Sequence, residues 1–235
     1  MKIVSWYVRG LGSTRKCCLI KNFSARECLD IVIFQETKME DVDRKVVKSL
    51  WGARFRGWTF LSSVGRLGGI LVMWDDRMVS CLEVVLGSFS MSVKFKGKDD
   101  FEWWLTGVYG PNDPHLRFEF WEELFSLHGL CHPNWCLGGD FNVIRLASEK
   151  LNGSRVTFSM RSFDDFIRQC NLRDPLLCNA SFTWSNMQER LVYTRIDHFL
   201  FSFDWEDHFP QLRQEALVRI VSDHYPLALE SCPLK

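Results

Sequence analysis

The sequence predicts an α/β sandwich, and three observations carry that expectation. The chain has 235 residues and is 46% hydrophobic, enough to bury one sizeable core. Nine apolar runs of strand length recur along it, several alternating with period two. Three amphipathic helical segments are scattered among them, with no strict strand–helix alternation. That irregularity disfavours a Rossmann sheet or a barrel of parallel strands. No low-complexity linker or short repeat divides the chain, so one domain over residues 1–232 is expected.

In chain order, MKIVSWYV reads as a strand opening into a loop at Gly10 and Gly12. Ser13 is placed to cap a helix over residues 14–28. LDIVIFQE reads as a buried strand with a polar end. GGILVMW, VSCLEVV, SMSVKF and FEWWLTGVYG are four further strands. Beyond Pro111 and Pro114, Leu116, Phe120, Leu124 and Leu127 mark one face of a helix, with Gly129 as its expected stop. NWCLGGDFNVI is strand then loop. SMRSFDDFIRQC is a helix that turns Phe163, Phe166, Ile167 and Cys170 inward. RIDHFLFS is a strand, and DHYPLALE opens polar and closes as one.

Composition excludes several classes. Net charge is zero, so the chain lacks the global basic surplus of many nucleic-acid binders. The charge is uneven, however: residues 1–58 hold twelve Lys/Arg against six Asp/Glu. Such a quarter either faces a polyanion or is a solvated helix surface. Nine cysteines show no zinc spacing and no nucleophile context, which fits reduced, buried thiols. No signal peptide and no apolar run of membrane length is present, so an intracellular protein without membrane attachment is expected. The Gly-rich stretches, LGG at 67–69 and LGGD at 137–140, match neither dinucleotide nor P-loop patterns.

Chemistry concentrates where apolar runs end. Gln35 and Glu36, Tyr109 and Asn112, Asp140 and Asn142, Arg195 and Asp197, and Ser222, Asp223 and His224 all follow or open strands. Each cluster alone has a structural reading: a turn residue at Asp140, a cap at Asp223-His224, an ion pair between Arg195 and Asp197. Together they are the parts of a site assembled from strand ends. Glu36, Asp140, Asp197 and Asp223 are hard oxygen donors, suited to magnesium rather than zinc. His224 can donate to a phosphoryl oxygen if an acid orients it. That kit suits phosphodiester hydrolysis, which needs charge stabilisation and a positioned water. A Ser222–Asp223–His224 triad lacks the GxSxG elbow.

SWYVRGLG, FQETK, GVYGPN, GGDFNVI, FTWSN, RIDHFL and SDHYPL, in this order, resemble the endonuclease/exonuclease/phosphatase superfamily. Within it the chain looks most like the endonuclease domain of plant LINE-type retrotransposons, akin to apurinic/apyrimidinic endonucleases. The resemblance spans roughly residues 2–230 and implies a four-layered αββα sandwich of the DNase I type. It implies a magnesium-dependent DNA-nicking enzyme, with manganese able to substitute and no small-molecule cofactor. It also implies a monomer acting on DNA, in the nucleus.

The resemblance assigns roles to residues. Glu36, with Asp223, would hold the metal. Tyr109 would touch the scissile phosphate. Asp140 would position or deprotonate the attacking water, with Asn142 orienting it. Asp197 would pair with His224, which polarises the phosphate. Arg9, Asn112, Trp184 and Asn186 are expected substrate contacts. Two departures stand out: His198 replaces the usual Arg or Tyr after the acid, and Tyr7 stands where the family has Asn. A phenol has one hydroxyl on a large ring, where an amide both accepts and donates. Tyr7 is therefore expected to crowd the ion or misorient Asp140. The alternatives are a ring swung to solvent, and an inactive remnant that keeps the fold. An inositol-phosphate or lipid phosphodiesterase is disfavoured, because RIDHFL lacks the Trp-Cys-Asp-Arg pattern of those enzymes. No reverse transcriptase domain is expected in this chain, which reads as a stand-alone fragment or remnant.

Overall fold

The computed structural model describes residues 1–52, 56–64, 68–153 and 155–231. Leu67 of the LGG stretch and Cys232, at the end of the expected domain, lie outside them. In chain order the elements are β1 (Lys2–Tyr7), α1 (Thr14–Glu27), β2 (Ile31–Gln35), α2 (Arg44–Leu50), β3 (Arg56–Leu61), β4 (Ile70–Asp75), β5 (Val79–Leu86), β6 (Ser90–Gly97) and β7 (Glu102–Tyr109). They continue with α3 (Arg117–Cys131), β8 (Trp135–Asp140), α4 (Phe158–Gln169), β9 (Leu172–Arg173), β10 (Trp184–Ser185), β11 (Tyr193–Thr194), β12 (Asp197–Ser202), α5 (Phe203–His208), β13 (Leu212–Ala216) and β14 (Leu227–Ser231).

Two six-stranded sheets result, ordered β13-β14-β1-β2-β4-β3 and β5-β6-β7-β8-β12-β9, with a ribbon of β10 and β11. Each sheet has one parallel pair at its centre, β1–β2 and β7–β8, flanked by antiparallel neighbours. A helix makes each parallel crossover, as the geometry of such a pair requires. Alternation along the strands sets the layers. On β1, Ile3 joins the core between the sheets while Val4 and Trp6 pack under α1 and α2. Phe95, Trp103, Phe199 and Phe201 complete the middle core, and α3 and α4 cover the outer face of the second sheet. The order is helix, sheet, sheet, helix. Each fully buried large side chain contributes about 1.5–3 kcal/mol relative to exposure.

Ser13 caps α1 as expected, its hydroxyl accepting from the Lys16 amide at 3.5 Å. The expected stop at Gly129 is a correction: α3 continues through it to Cys131, which is 1% exposed. His132 then turns extended at φ −64°, ψ 147°. Pro133 follows, and a residue before proline is pushed out of the helical region. No helix among the described residues is long and apolar enough to cross a membrane.

Candidate active site

Both parallel pairs end at the same edge of the sandwich. Across the second sheet Tyr109 aligns with Asp140, and Asp140 with Asp197, so three residues stand abreast at the ends of β7, β8 and β12. On the first sheet Tyr7 aligns with Gln35, and Glu36 follows directly. Asp223 and His224 precede β14, and His224 bridges to Trp184 on the ribbon. The row is possible because Gly139 and Gly110 bring backbones close: a methyl at Gly139 would meet the Val108 carbonyl, and one at Gly110 the Phe141 carbonyl. Glu36 (φ 50°), Asn142 (φ 53°) and Arg9 (φ 51°) all sit in the left-handed region. Such strain in non-glycine residues is held in place by surrounding structure and clusters at working sites.

His224 Nδ1 lies 3.0 and 2.9 Å from the two carboxylate oxygens of Asp197. Its Nε2 lies 4.0 Å from Asp140 Oδ2, too far for a hydrogen bond and suited to a bridging oxygen. Both groups are buried. Burial opposes the His224 imidazolium, but Asp197, Asp140 and Asp223 outweigh it and raise its pKa to about 9. Burial, reinforced by Asp197 and only partly offset by His224, pushes Asp140 up to about 8. Asp140 Oδ1 accepts the Asn142 amide at 2.8 Å, and Asn142 Nδ2 donates to the Gly110 carbonyl at 2.7 Å. Thr183, buried under the ribbon, receives the amides of Ile196 and Asp197 on its hydroxyl at 3.2 and 3.1 Å. It is a supporting residue inside FTWSN, where only Trp184 and Asn186 carried an expected role.

Tyr7 does not swing to solvent. Its ring stacks on His224 at 4.1 Å between centroids and 22° between planes, and meets Tyr109 edge-on at 5.8 Å. Burial, then a hydrogen bond toward Glu36, drives its hydroxyl pKa far above the ordinary value, so the phenol stays neutral. Tyr109 is raised as well, by burial and by Glu36 and Asp140. Glu36 Oε1 pairs with Lys38 Nζ at 3.2 Å, while its Oε2 is buried without a partner. Gly68 leaves the space for this corner, since a Cβ there would lie 2.7 Å from Glu36 Cγ and 2.8 Å from Tyr109 Cε1.

The remaining expected residues are placed as follows. Trp184 Nε1 donates to Asp223 Oδ2 at 3.1 Å, and Arg9 lies 3.7 Å from the same oxygen. Burial works against the Asp223 carboxylate, but Trp184, His224 and Arg9 hold its pKa below the usual range. Tyr7, Asn112, Asp140, Asn142, Trp184 and His224 share a cavity of about 280 Å³ with Asp223, Thr194 and Ile196. Asn186 is not part of that wall: its amide holds the ribbon's loop, donating to the Arg190 carbonyl at 2.8 Å and accepting from Val192 N at 3.0 Å. Arg195 does not pair with Asp197. It binds Glu149 at 3.2 Å and Asp174 at 2.7 Å, and His198 joins Asp174 from the same side. Ser222 Oγ receives the His224 amide at 3.1 Å, while the His224 ring faces Asp197, so no serine triad forms.

The buried, unpartnered oxygens Glu36 Oε2 and Asp140 Oδ2 are hard anionic donors of the kind that hold a divalent cation. Asp140, Asp197 and His224 also offer ligand atoms within 4.8 Å of one another, but Asp197 and the His224 ring already satisfy each other.

The family model for the endonuclease/exonuclease/phosphatase family matches residues 19–224. The chain belongs to that family. Among solved structures it is similar to the endonuclease domain of TRAS1, a telomere-specific non-LTR retrotransposon, at 13% identity and TM-score 0.74, covering 100% of this chain and 99% of that one. It is also similar to the AP endonuclease LMAP from Leishmania major, at 18% identity and TM-score 0.72, covering 99% and 88%. The Xenopus laevis APE2 catalytic domain follows at 18% and 0.66, covering 98% and 91%. At these identities the likeness is one of fold. No curated protein matches the chain.

Proposed function

We propose that this family member is a divalent-metal-dependent phosphodiesterase that nicks DNA, an endonuclease of retrotransposon origin forming one catalytic unit over residues 1–232. The observation that carries the reading is the His224–Asp197 pair held 4.0 Å from a buried, unpartnered Asp140 oxygen. A phosphoryl group and its attacking water suit that gap.

In this reading Asp140 takes a proton from the water, whose oxygen bonds to phosphorus as the bond to the leaving oxygen breaks. Its raised pKa matches a base working near neutrality. His224, held as imidazolium by Asp197, donates from Nε2 to a phosphoryl oxygen. Asn142 orients water and phosphate, and Tyr109 donates its hydroxyl to the phosphate. Glu36 and Asp223 would hold magnesium, or manganese in its place, which neutralises charge on the phosphate and leaving group. DNA is the expected partner of a monomer acting in the nucleus. Similarity to a retrotransposon endonuclease domain and to an AP endonuclease supports a nucleic-acid substrate.

Tyr7 limits this activity in the same reading. Its ring packs against both His224 and Tyr109, and its hydroxyl is directed toward Glu36. A second reading, an inactive remnant, rests on that one side chain. Supercoiled-plasmid nicking, with magnesium and with chelator, tests both. Slow magnesium-dependent nicking by the natural chain, accelerated ~10²-fold in Tyr7→Asn, is the expected result. Nicking by neither protein contradicts the enzyme reading.

A further inference from the structure

Beside the catalytic cleft lies a second, larger cavity of about 470 Å³. The two adjoin, sharing a wall of Asn142, Thr194 and Ile196. Its polar lining is basic: Arg117, Lys150 and Arg155, with Asn152, Thr157 and Ser159, and no carboxylate among the described lining residues. Lys150 and Arg155 are exposed and form no ion pair among the described residues. The first turn of α4 forms part of the wall, so the helix's positive end adds to the same field.

Arg117 joins this cavity to the catalytic loop. One guanidinium nitrogen donates to Ser159 Oγ at 2.7 Å and another to the Asn142 carbonyl at 3.3 Å. Its Nε is buried without a partner. Asn142 in turn donates its amide to Asp140. An anion in the cavity therefore meets a cation already tied to the backbone beside the candidate base.

We propose that this cavity is a phosphate subsite for the nucleic-acid strand as it leaves the scissile phosphate, with Lys150 and Arg155 as its phosphate contacts. The inference rests on the proposed function and sharpens it. A strand with several phosphates fills both cavities, whereas a small phosphodiester fills only the catalytic one. Arg117 is the positioning residue that links strand binding to Asn142.

The test measures binding, not cleavage. Anisotropy of a labelled 20-base-pair duplex is followed through a NaCl series in chelator, with wild type, Lys150→Gln/Arg155→Gln, and Lys94→Gln/Lys96→Gln. The last pair removes equal charge from β6, where Lys96 aligns with Glu102 at the far end of β7 from Tyr109. Arg117 is left intact because it supports Asn142. The expected result is about tenfold weaker binding for the cavity variant at 0.1 M salt, and a salt slope shallower by up to ~2. The β6 variant should track wild type, and all three should melt alike. A cavity variant that binds like wild type, or no more weakly than the β6 variant, overturns the proposal. Chelator separates the two questions: a chain that never nicks still reports on this subsite, and loss of the subsite leaves the nicking result standing.

Discussion

Tyr7 shows how much one side chain decides. It stands in this site as a ring stacked on His224 and a neutral hydroxyl toward Glu36. The motif SWYV made the substitution legible, but not the stacking, because no sequence pattern gives a rotamer. Asp140 would carry the cost of the proposed function: a buried carboxylate with an oxygen that nothing satisfies is destabilising. Asp140→Asn should therefore raise the melting temperature while lowering nicking by ~10²-fold or more. Calorimetry and plasmid nicking on the same preparation check both. The pair also sets a pH dependence. His224 is raised from 6.5 to about 9, so its charged form contributes full stability below pH 6.5, and that contribution is lost as pH rises through about 9. Asp140, raised to about 8, acts in the same direction, because above that pH the fold must hold a buried anion. Denaturation midpoints should fall between pH 6.5 and 9, and fall less in Asp140→Asn. A midpoint that rises through that window would contradict the assignment.

Strands, more than helices, position the chemistry. Tyr109, Asp140 and Asp197 stand abreast because β7, β8 and β12 are in register at that edge. Period-two alternation and polar ends made those strands visible in the sequence. The pairing order was not visible, since β12 reaches β8 across a gap that contains α4 and the ribbon. Short, weakly patterned elements also escaped: α2 has seven residues with two adjacent valines, and β3 is half-buried throughout, with no alternation to read. Arg195 was legible as a charge beside Asp197 but not as what it is. It faces away, closing a buried network with Glu149 and Asp174 that Arg145 and His198 extend. Burial opposes the Asp174 carboxylate, yet His198, Arg195 and Arg145 together hold it at about 2. This network fixes the segment that delivers Asp197. Arg195→Met should cost ~3–5 kcal/mol by urea unfolding, since it takes a buried cationic partner from both Glu149 and Asp174. A loss below 1 kcal/mol would show that the network does not hold β12.

The sandwich class followed from composition and from strands too numerous and irregular for a parallel barrel. The four layers came from the family resemblance, and the structure bears them out with two six-stranded sheets between helices. What the sequence could not show is how charge is arranged in space. A chain of zero net charge gathers carboxylates at one edge of the sandwich and, across Asn142, a basic cavity with no carboxylate among its described lining residues. Those residues come from separate segments, and only folding brings them together. The most direct test of this account is the rate at which supercoiled plasmid is nicked, with magnesium, by the natural chain, by Tyr7→Asn, and by Tyr7→Asn carrying Asp140→Asn as well. The account predicts slow nicking, a gain of ~10²-fold, and loss of that gain in the double variant. Nicking that persists in the double variant would contradict it.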